Sequence, residues 1–581
     1  MKKSVIAASA VSLLLIFSSI QGLFPVKGQE QEYTHMFFTL NLMVPKGNVN
    51  RENVGHLLAE ELPKIGIGVN LHIIDFSDWL THAYGAPKTW DEGGYDLFLV
   101  QTGYGFDPNG MYTWFHSKSW YPKGLNLYCY ANPKLDELLD EGVKEVTNLT
   151  RRKEIYMEAS KIIYEDLPMI PYWRVVNTFL LRNEVEGFEP NTDTDTCYNW
   201  SIPGKDYIKY VQPTDADNLL PLFMSTGYSF RAVGNPCFDG LVKFNESLQV
   251  VPDIAESWEW INTTYIVFHL RHNVYFHDGV QLTAEDVKFT YDAVMNPDTA
   301  SRNYADYTKA IKQVYALDNF TVAFELNEPY APFLQEIAME GILPKHIMEK
   351  IPYSDWQTSW MNTGVYPNGT AAQIIGCGPY KYVEWKKDEY IKLEAFDQYY
   401  LGAPKTPTIY MTVIPDAATA YSALEAGEVD ILNDWFGWTA DDIHSAQENP
   451  DLKTASYSIF GPQLVGINLG HPILANKWVR WAINYMIPRQ HIVDDLLGGV
   501  GGKAAYQFLS EETLGHNPNL PPIEYSIEKA KECMEKAGYL YEYITPAPSQ
   551  PLPSWVYAAP IGTLVVGVLI GYAITALRRT S

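Results

Sequence analysis

Five stretches of the chain place apolar residues at the three- and four-residue spacing of amphipathic helices, and each begins at a side chain suited to cap a helix. The capping residues are, in chain order, Asn50, Asn132 with Pro133, Thr150, Thr283 with Asp286, and Ser526. Asparagine, serine and threonine side chains accept hydrogen bonds from the free N–H groups of a first helical turn. The pattern therefore predicts helices at these five places, of which the last ends at Gly538.

Short runs rich in β-branched and aromatic residues lie between the predicted helices. They predict strands over residues 69–74, 95–100, 265–270, 321–326 and 409–413. Because strands and helices alternate along the chain, the sequence predicts an α/β fold.

The N-terminal end has the pattern of a secretory signal peptide. Lys2 and Lys3 precede the uncharged residues 5–20, and small residues follow them. We predict a signal peptide over residues 1–28, which directs the chain out of the cytoplasm.

The C-terminal end has the pattern of a membrane anchor. Residues 555–577 carry no charge over 23 positions, about 34 Å as a helix, which is long enough to span a bilayer. Arg578 and Arg579 follow directly, so the tail 578–581 is predicted to be cytoplasmic. Proline-rich residues 541–554 form a linker above the membrane. The chain is thus predicted to be a single-pass protein on the extracellular face of the cytoplasmic membrane.

The net charge and the aromatic content narrow the range of possible functions. The 43 basic and 69 acidic residues give a net charge of −26, which repels nucleic-acid phosphates. Aromatic residues make up 14% of the chain, which suits stacking surfaces in a ligand cleft.

The cysteines and the sequons indicate which covalent modifications are open to an exported chain. The five cysteines are widely spaced without a CxxC pair, so a metal cluster is disfavoured, whereas one or two disulfides remain open. Six asparagines begin N-x-S/T sequons and permit glycosylation: Asn148, Asn199, Asn245, Asn262, Asn319 and Asn368.

Several motifs carry a family resemblance. They are residues 252–258, 265–271, 274–279, 282–290, 376–380, 424–430 and 468–483. These segments resemble, in the family's order, the extracellular solute-binding proteins of the oligopeptide and dipeptide type that serve ABC importers. The resemblance extends over residues 205–540.

The order of the segments differs from that of the family. Material that resembles the family's C-terminal part comes first here, in residues 38–45, 62–69, 95–99, 132–136 and 165–171. The sequence thus predicts a circular permutation. Residues near 37 and near 540 are then expected to lie close together, because permutation joins termini that are neighbours in space.

The resemblance implies a two-lobe fold of the periplasmic-binding-protein type, class II. One lobe is expected to be split into residues 33–172 and 462–540, and the other to be continuous over 180–460. Crossings near 171–179 and 457–467 then form a hinge that closes around a ligand. The alternative is two independent domains with a rigid interface.

Two loops at strand ends supply candidate ligand-binding residues. They are Tyr104, Phe106 and Asp107 in the first loop, and Asp434, Trp435, Phe436 and Trp438 in the second. In peptide-binding members of the family, an aspartate at the position of Tyr104 holds the ligand's α-amine. A tyrosine hydroxyl supplies no anion, so an oligosaccharide stacked on aromatic rings competes with an oligopeptide as the ligand, unless Asp434 serves as the anion.

Neither a metal site nor an enzyme is indicated. Among the histidines 269, 272 and 277, the first falls in a predicted strand and the last in a turn that the family keeps for structure. The carboxylate pairs 285/286 and 441/442 are sequence neighbours, which point to different faces of a helix. No nucleophile or nucleotide motif is present, and we expect no catalytic residue, metal or cofactor.

The resulting prediction is a membrane-anchored extracellular solute-binding protein. It captures a small oligomer by hinge closure and delivers it to an ABC permease, with the permease and its ATPase on separate chains. The alternative is a surface sensor or adhesin that uses the same cleft without transport.

Overall fold

The computed structural model describes residues 35–103, 105–191 and 193–541. Outside these residues lie the predicted signal peptide at 1–28, the transmembrane helix at 555–577, the tail at 578–581, nearly all of the linker at 541–554, and Tyr104. In the part of the chain that the structure describes, no helix has both the length and the apolar character needed to span a membrane.

The chain alternates strands and helices, as predicted. The strands are β1 (Phe38–Pro45), β2 (Ile67–Ile74), β3 (Leu97–Gln101), β4 (Met169–Arg182), β5 (Tyr207–Gln212), β6 (Val242–Phe244), β7 (Val250–Pro252), β8 (Ala255–Asn262), β9 (Tyr265–Leu270), β10 (Ile311–Asp318), β11 (Thr321–Leu326), β12 (Tyr380–Lys386), β13 (Tyr390–Ala395), β14 (Thr408–Val413), β15 (Ile431–Leu432), β16 (Leu452–Ser458), β17 (Gln463–Ile467) and β18 (Gly502–Ala504). The α-helices of six or more residues among the described residues are α1 (Val49–Glu61), α2 (Phe76–Ala83), α3 (Gly110–Phe115), α4 (Pro133–Gly142), α5 (Leu149–Asp166), α6 (Ala284–Val294), α7 (Tyr304–Ala310), α8 (Ala417–Glu425), α9 (Ala440–Glu448), α10 (Lys477–Tyr485) and α11 (Ile527–Lys536).

Three of the five predicted helix caps are confirmed. Asn132 accepts from the backbone N–H groups of Lys134 and Leu135, at 3.0 and 3.3 Å. Thr283 and Asp286 form the capping box of α6. Ser526 accepts from the N–H of Lys529 at the start of α11.

The other two caps are wrong by two residues. Asn48, not Asn50, caps α1, and Asn148, not Thr150, caps α5; in each case the asparagine Oδ1 accepts from the N–H three residues on, at 2.9 Å. Both true caps are asparagines just upstream of an equally plausible capping residue. The sequence pattern does not distinguish two such neighbours, because the choice depends on which backbone leaves the helical conformation.

One large sheet has the strand order β12-β13-β14-β5-β15-β4-β17-β3-β1-β2, with β16 and β18 also paired to β4. Strand β4 belongs to both halves of this sheet: its first residues pair with β17, and Val176 to Arg182 pair with β16. We call the part built on β1, β2, β3, β17 and β18 the split lobe, and the part built on β5 to β16 the continuous lobe. The continuous lobe also holds a separate antiparallel sheet, β10-β11-β9-β8.

Each lobe has its own hydrophobic core. One buried cluster runs from Met43 to Met169 and includes Leu464, Phe508 and Leu509 of the split lobe. Another runs from Phe179 to Ile431 in the continuous lobe. The molecule is therefore a two-lobe α/β protein in which the cores are separate and the sheet is shared through β4.

All five cysteines lie within the described residues, and none of them is joined in a disulfide. The disulfides that the sequence left open are therefore not formed in this structure. Four of the five cysteines are buried, and Cys129 is half-buried.

Residues 538–581 form a second unit, of which the structure describes only 538–541. These four residues contain neither helix nor strand. The first of them, Gly538, has a φ of 99°, a backbone conformation that favours glycine.

Candidate ligand-binding cleft

The chain passes between the lobes twice, along strands that are paired with each other. On β4, Asn177 faces Tyr457 of β16, and Trp173 faces Gln463 of β17. The link between β16 and β17 therefore runs beside the middle of β4. Both crossings lie side by side, so a change of angle between the lobes bends them together.

Asp434 joins these crossings to the second candidate loop. Its side chain is fully buried and forms an ion pair with Arg231, Oδ1 to Nη1 at 2.5 Å. Its Oδ2 accepts hydrogen bonds from Asn177 Nδ2 and from the Tyr457 hydroxyl, both at 2.9 Å. Burial and the Asp434 charge raise the pKa of Tyr457, so its hydroxyl stays a donor. The Asp434 carboxylate is thus balanced within the protein, which weakens the prediction that it holds a ligand ammonium.

The aromatic residues after Asp434 are packed against protein. The Trp435 ring lies 3.8 Å from the Arg231 guanidinium and meets Tyr228 edge to face, with centroids 4.7 Å apart. Phe436 and Trp438 stack on each other at 4.8 Å and cover a small buried cluster of the continuous lobe. Ligand contact by these three residues remains a prediction.

In the first candidate loop, Asp107 has a structural partner. Its carboxylate forms a bidentate pair with Arg152 at 2.6 and 2.7 Å, and both side chains are almost completely buried. The N–H of Asn109 also donates to Asp107, at 2.8 Å. Asp107 therefore anchors its loop to α5, and its charge is not free for a ligand.

Phe106 is exposed over 37% of its surface and lies between the two lobes. Its ring contacts Phe244 of β6, with centroids 4.1 Å apart, and Phe460 of the β16 to β17 link at 4.7 Å. One residue of the split lobe thus touches the continuous lobe and a crossing.

A cavity of about 1200 Å³ opens beside Phe106. In the split lobe, Phe106 and residues within 145–153 and 506–522 line one wall. In the continuous lobe, residues within 244–260 and 331–335 line the other wall. Its aromatic lining residues are Phe106, Phe244, Trp258, Trp260 and Tyr506. A cavity of this size exceeds the usual 300–1,000 Å³ of a site for one small molecule, and it accommodates a short oligomer.

The structure separates the two groups of candidate residues. Among the described candidates, Phe106 lines the cavity, whereas Asp434 to Trp438 do not. Sequence reasoning missed Trp258 and Trp260, which lie on one face of β8. The signal was present, because Ser257 and Glu259 alternate with the two tryptophans, and such alternation of polar and aromatic residues is typical of a half-buried strand.

A polar chain crosses the end of β3. Gln463 donates to Gln101, Nε2 to Oε1 at 3.0 Å, and Arg51 Nε donates to Gln463 Oε1 at 3.0 Å. Burial lowers the pKa of Arg51. Among the described residues Arg51 forms no ion pair. This series of hydrogen-bonded side chains therefore ends in the Arg51 guanidinium, beside the crossing.

His277, one of the three histidines considered as metal ligands, is held by the backbone. Its Nδ1 accepts from the N–H of Gly376 at 3.2 Å, and its Nε2 lies 3.0 Å from the Gly378 carbonyl. Burial lowers the pKa of His277 to about 4, so it is neutral at pH 7. The turn that contains it thus uses its side chain for structure.

Comparison with known families decides the affiliation of the chain. Residues 249–556, more than half of the chain, match the family model for the middle part of the bacterial extracellular solute-binding proteins, family 5. The chain belongs to this family. The matched block includes Trp258, Trp260 and most of the motifs on which the resemblance was based.

Curated relatives match a little more than half of this family 5 chain. It is 32% identical over 322 residues to the oligopeptide-binding protein AppA of Bacillus subtilis, covering 54% of this chain and 56% of AppA. It is 28% identical over 357 residues to the dipeptide-binding protein of Escherichia coli, covering 57% and 63%, and 27% identical over 337 residues to heme-binding protein A of Haemophilus influenzae, covering 55% and 59%. The chain spans somewhat more than half the length of the curated relatives it matches.

Solved structures resemble this family 5 chain over a similar share. The structure of Bacillus subtilis AppA with a nonapeptide covers 58% of this chain and 65% of its own, at a TM-score of 0.42 and 26% identity. HbpA2 from Haemophilus parasuis covers 57% and 67%, at a TM-score of 0.48 and 24% identity.

Proposed function

We propose that this chain is the extracellular solute-binding protein of an ABC importer and that it captures an oligopeptide between its lobes. The cavity of about 1200 Å³ carries this proposal, because both lobes line it and two paired crossings connect them. Closing the lobes on a ligand buries its surface on both sides. The captured ligand is then delivered to a permease, with the permease and ATPase on separate chains.

An oligopeptide is favoured over an oligosaccharide. The matched relatives include proteins named for binding oligopeptides and dipeptides. The position of Tyr104 still lacks the family's ammonium-binding aspartate, and Asp107 and Asp434 are each paired to an arginine. Neither Asp107 nor Asp434 therefore supplies an unpaired carboxylate for the α-amine of the peptide.

We further propose that the lobes consist of residues 33–172 with 462–540, and 180–460, and that the protein is anchored by residues 555–577 with the linker 541–554 above the membrane. Sequence pattern supports the anchor. The sequons supply candidate glycosylation sites on the extracellular surface: Asn148, Asn262, Asn319 and Asn368 are exposed, and Asn199 and Asn245 are half-buried.

We also propose that the chain is a circular permutation of the family fold. Both ends of the described fold contact the same short segment, residues 61–66. The N–H of Phe37 donates to the Gly66 carbonyl at 2.8 Å, α11 packs on residues 62–65, and the Tyr525 hydroxyl donates to Glu61 at 2.6 Å. Ends that meet in this way are what a permutation requires.

The permutation predicts that the family order of segments also folds. A chain that runs from residue 205 to 540, continues through a short glycine-serine linker and then covers 35–204 should show one cooperative unfolding transition. Its free energy of unfolding should lie within about 2 kcal/mol of the parent's, because no core contact is lost. Chemical denaturation followed by circular dichroism measures it. A chain opened inside β4, between Val175 and Val176, is the control and should be much less stable. Failure of the first chain to fold, or equal stability of both, would contradict the permutation.

The proposed function predicts stabilisation by peptides. A ligand at one hundred times its Kd should raise the free energy of unfolding by about 2.7 kcal/mol, which a thermal-shift screen of peptide and oligosaccharide libraries detects. Trp258→Ala should weaken the binding at least about tenfold, because it removes one aromatic wall of the cavity. Trp120→Ala is the control, since Trp120 is 41% exposed and lies outside the cavity. Silence across both libraries would exclude solute capture, and a shift with sugars alone would exclude the peptide.

A further inference from the structure

The charges that line the interlobe cavity are unequal. Three carboxylates face it, those of Glu145, Glu511 and Glu512, against two cations, Arg152 and Lys153. The Arg152 charge is already neutralised by the bidentate pair with the buried Asp107. In the cavity lining, three carboxylate charges are therefore balanced only by the charge of Lys153, and the cavity is electronegative.

The three carboxylates retain their capacity to bind a cation. Among the residues that the structure describes, none of them forms an ion pair. Glu145 accepts from Thr147 and Asn148 through one oxygen, which leaves its charge in place. Glu511 and Glu512 are exposed at the cavity wall. His516 also lines the cavity, and its Nδ1 lies 3.2 Å from the Leu509 carbonyl.

The opposite wall has a different character. Trp258 and Trp260 of β8 lie there with Phe244, and Leu334 adds an aliphatic surface. In the described part of the chain no acceptor is bonded to either indole N–H. This wall thus offers stacking faces and two hydrogen-bond donors for carbonyl groups of a ligand.

We propose that the cavity selects oligopeptides that combine positive charge with apolar or aromatic side chains. This inference rests on the proposed function and specifies its ligand. The carboxylates belong to the split lobe and the tryptophans to the continuous lobe, so a cationic and aromatic peptide bridges the two. Such a ligand gains both sets of contacts only when the lobes are closed, which couples charge selection to closure.

Three synthetic hexapeptides test this selection on the full chain. All three contain two tryptophans, and the two flanking positions are both lysine in the first peptide, both serine in the second and both glutamate in the third. Calorimetric titration at low and high salt measures the Kd of each. The lysine peptide should bind most tightly and the glutamate peptide least tightly. The lysine preference should shrink at high salt, because screening weakens exposed charge contacts.

The double variant E511Q/E512Q should weaken binding of the lysine peptide about fivefold to tenfold and leave the serine peptide within about twofold. The control E425Q/E428Q removes the same charge from exposed positions of the continuous lobe outside the cavity, and should change neither. Equal affinity for all three peptides, or an unchanged lysine preference in E511Q/E512Q, would overturn the charge selection while leaving peptide capture intact. Binding of none of the peptides, with no hit in the library screen, would instead overturn the proposed function.

Discussion

Replacing Asp107 by asparagine should lower the free energy of unfolding by about 3–5 kcal/mol, the largest loss we expect from a single substitution near the cleft. Asp107 and Arg152 are each about 2% exposed, and their two hydrogen bonds measure 2.6 and 2.7 Å. Asparagine keeps the shape but removes the negative charge, so a buried guanidinium is left without a counter-ion. Chemical denaturation at pH 7 measures the loss.

Glu325→Gln is the matched control, because its pair with Lys312 is short, at 2.7 Å, but exposed. Because solvent screens this pair, the substitution should leave the free energy of unfolding close to that of the parent. Adding Arg152→Met to Asp107→Asn should recover part of the loss, since the orphaned charge is then gone. A loss in Asp107→Asn no larger than that in Glu325→Gln would show that the buried pair does not hold the loop. Because the same loop carries Phe106, we also expect weaker ligand binding in Asp107→Asn.

Replacing Gly461 by alanine should lower the free energy of unfolding by about 3 kcal/mol and should also weaken the proposed peptide binding. Gly461 lies in the link between β16 and β17, where a Cβ would stand 1.8 Å from the Thr102 carbonyl oxygen. The obstacle is backbone and cannot rotate away. The N–H and hydroxyl of Thr102 both donate to the Pro462 carbonyl at 3.0 Å, so an added methyl group forces this contact apart. Chemical denaturation measures the loss of stability. Calorimetric titration with the lysine peptide measures the loss of affinity.

Gly103→Ala is the neighbouring control. Apart from its two chain neighbours, no described residue has an atom within 4 Å of the Cβ that this substitution adds. The free energy of unfolding should therefore stay within about 1 kcal/mol of the parent's. Similar losses of stability in both variants would mean that the close approach of Gly461 to Thr102 is not the cause of the loss. A stable Gly461→Ala protein with unchanged affinity would show that this crossing tolerates displacement.

Local pattern predicted the elements well where a single signal was present. Strands β9 and β11 begin and end at the predicted residues, because each is a short apolar run bounded by turn residues. Helix α4 begins where Asn132 and Pro133 place it. The caps of α1 and α5 were wrong because two suitable residues stood close together.

The candidate site was less accessible from sequence. Phe106 was identified because it follows a strand, and it does line the cavity. Its neighbour Asp107 has the same sequence signal, yet its carboxylate is bound by Arg152, 45 residues away. Asp434 similarly meets Arg231, Asn177 and Tyr457, which come from three distant parts of the chain.

The sequence alone determined the α/β class and the family resemblance, because motifs and periodicity are properties of neighbouring residues. Only the tertiary structure decided which carboxylates are balanced and which face a cavity. That choice depends on the distance between residues that are far apart in sequence, and on burial, which sets the cost of an unpaired charge. The cavity itself exists only where the two lobes meet.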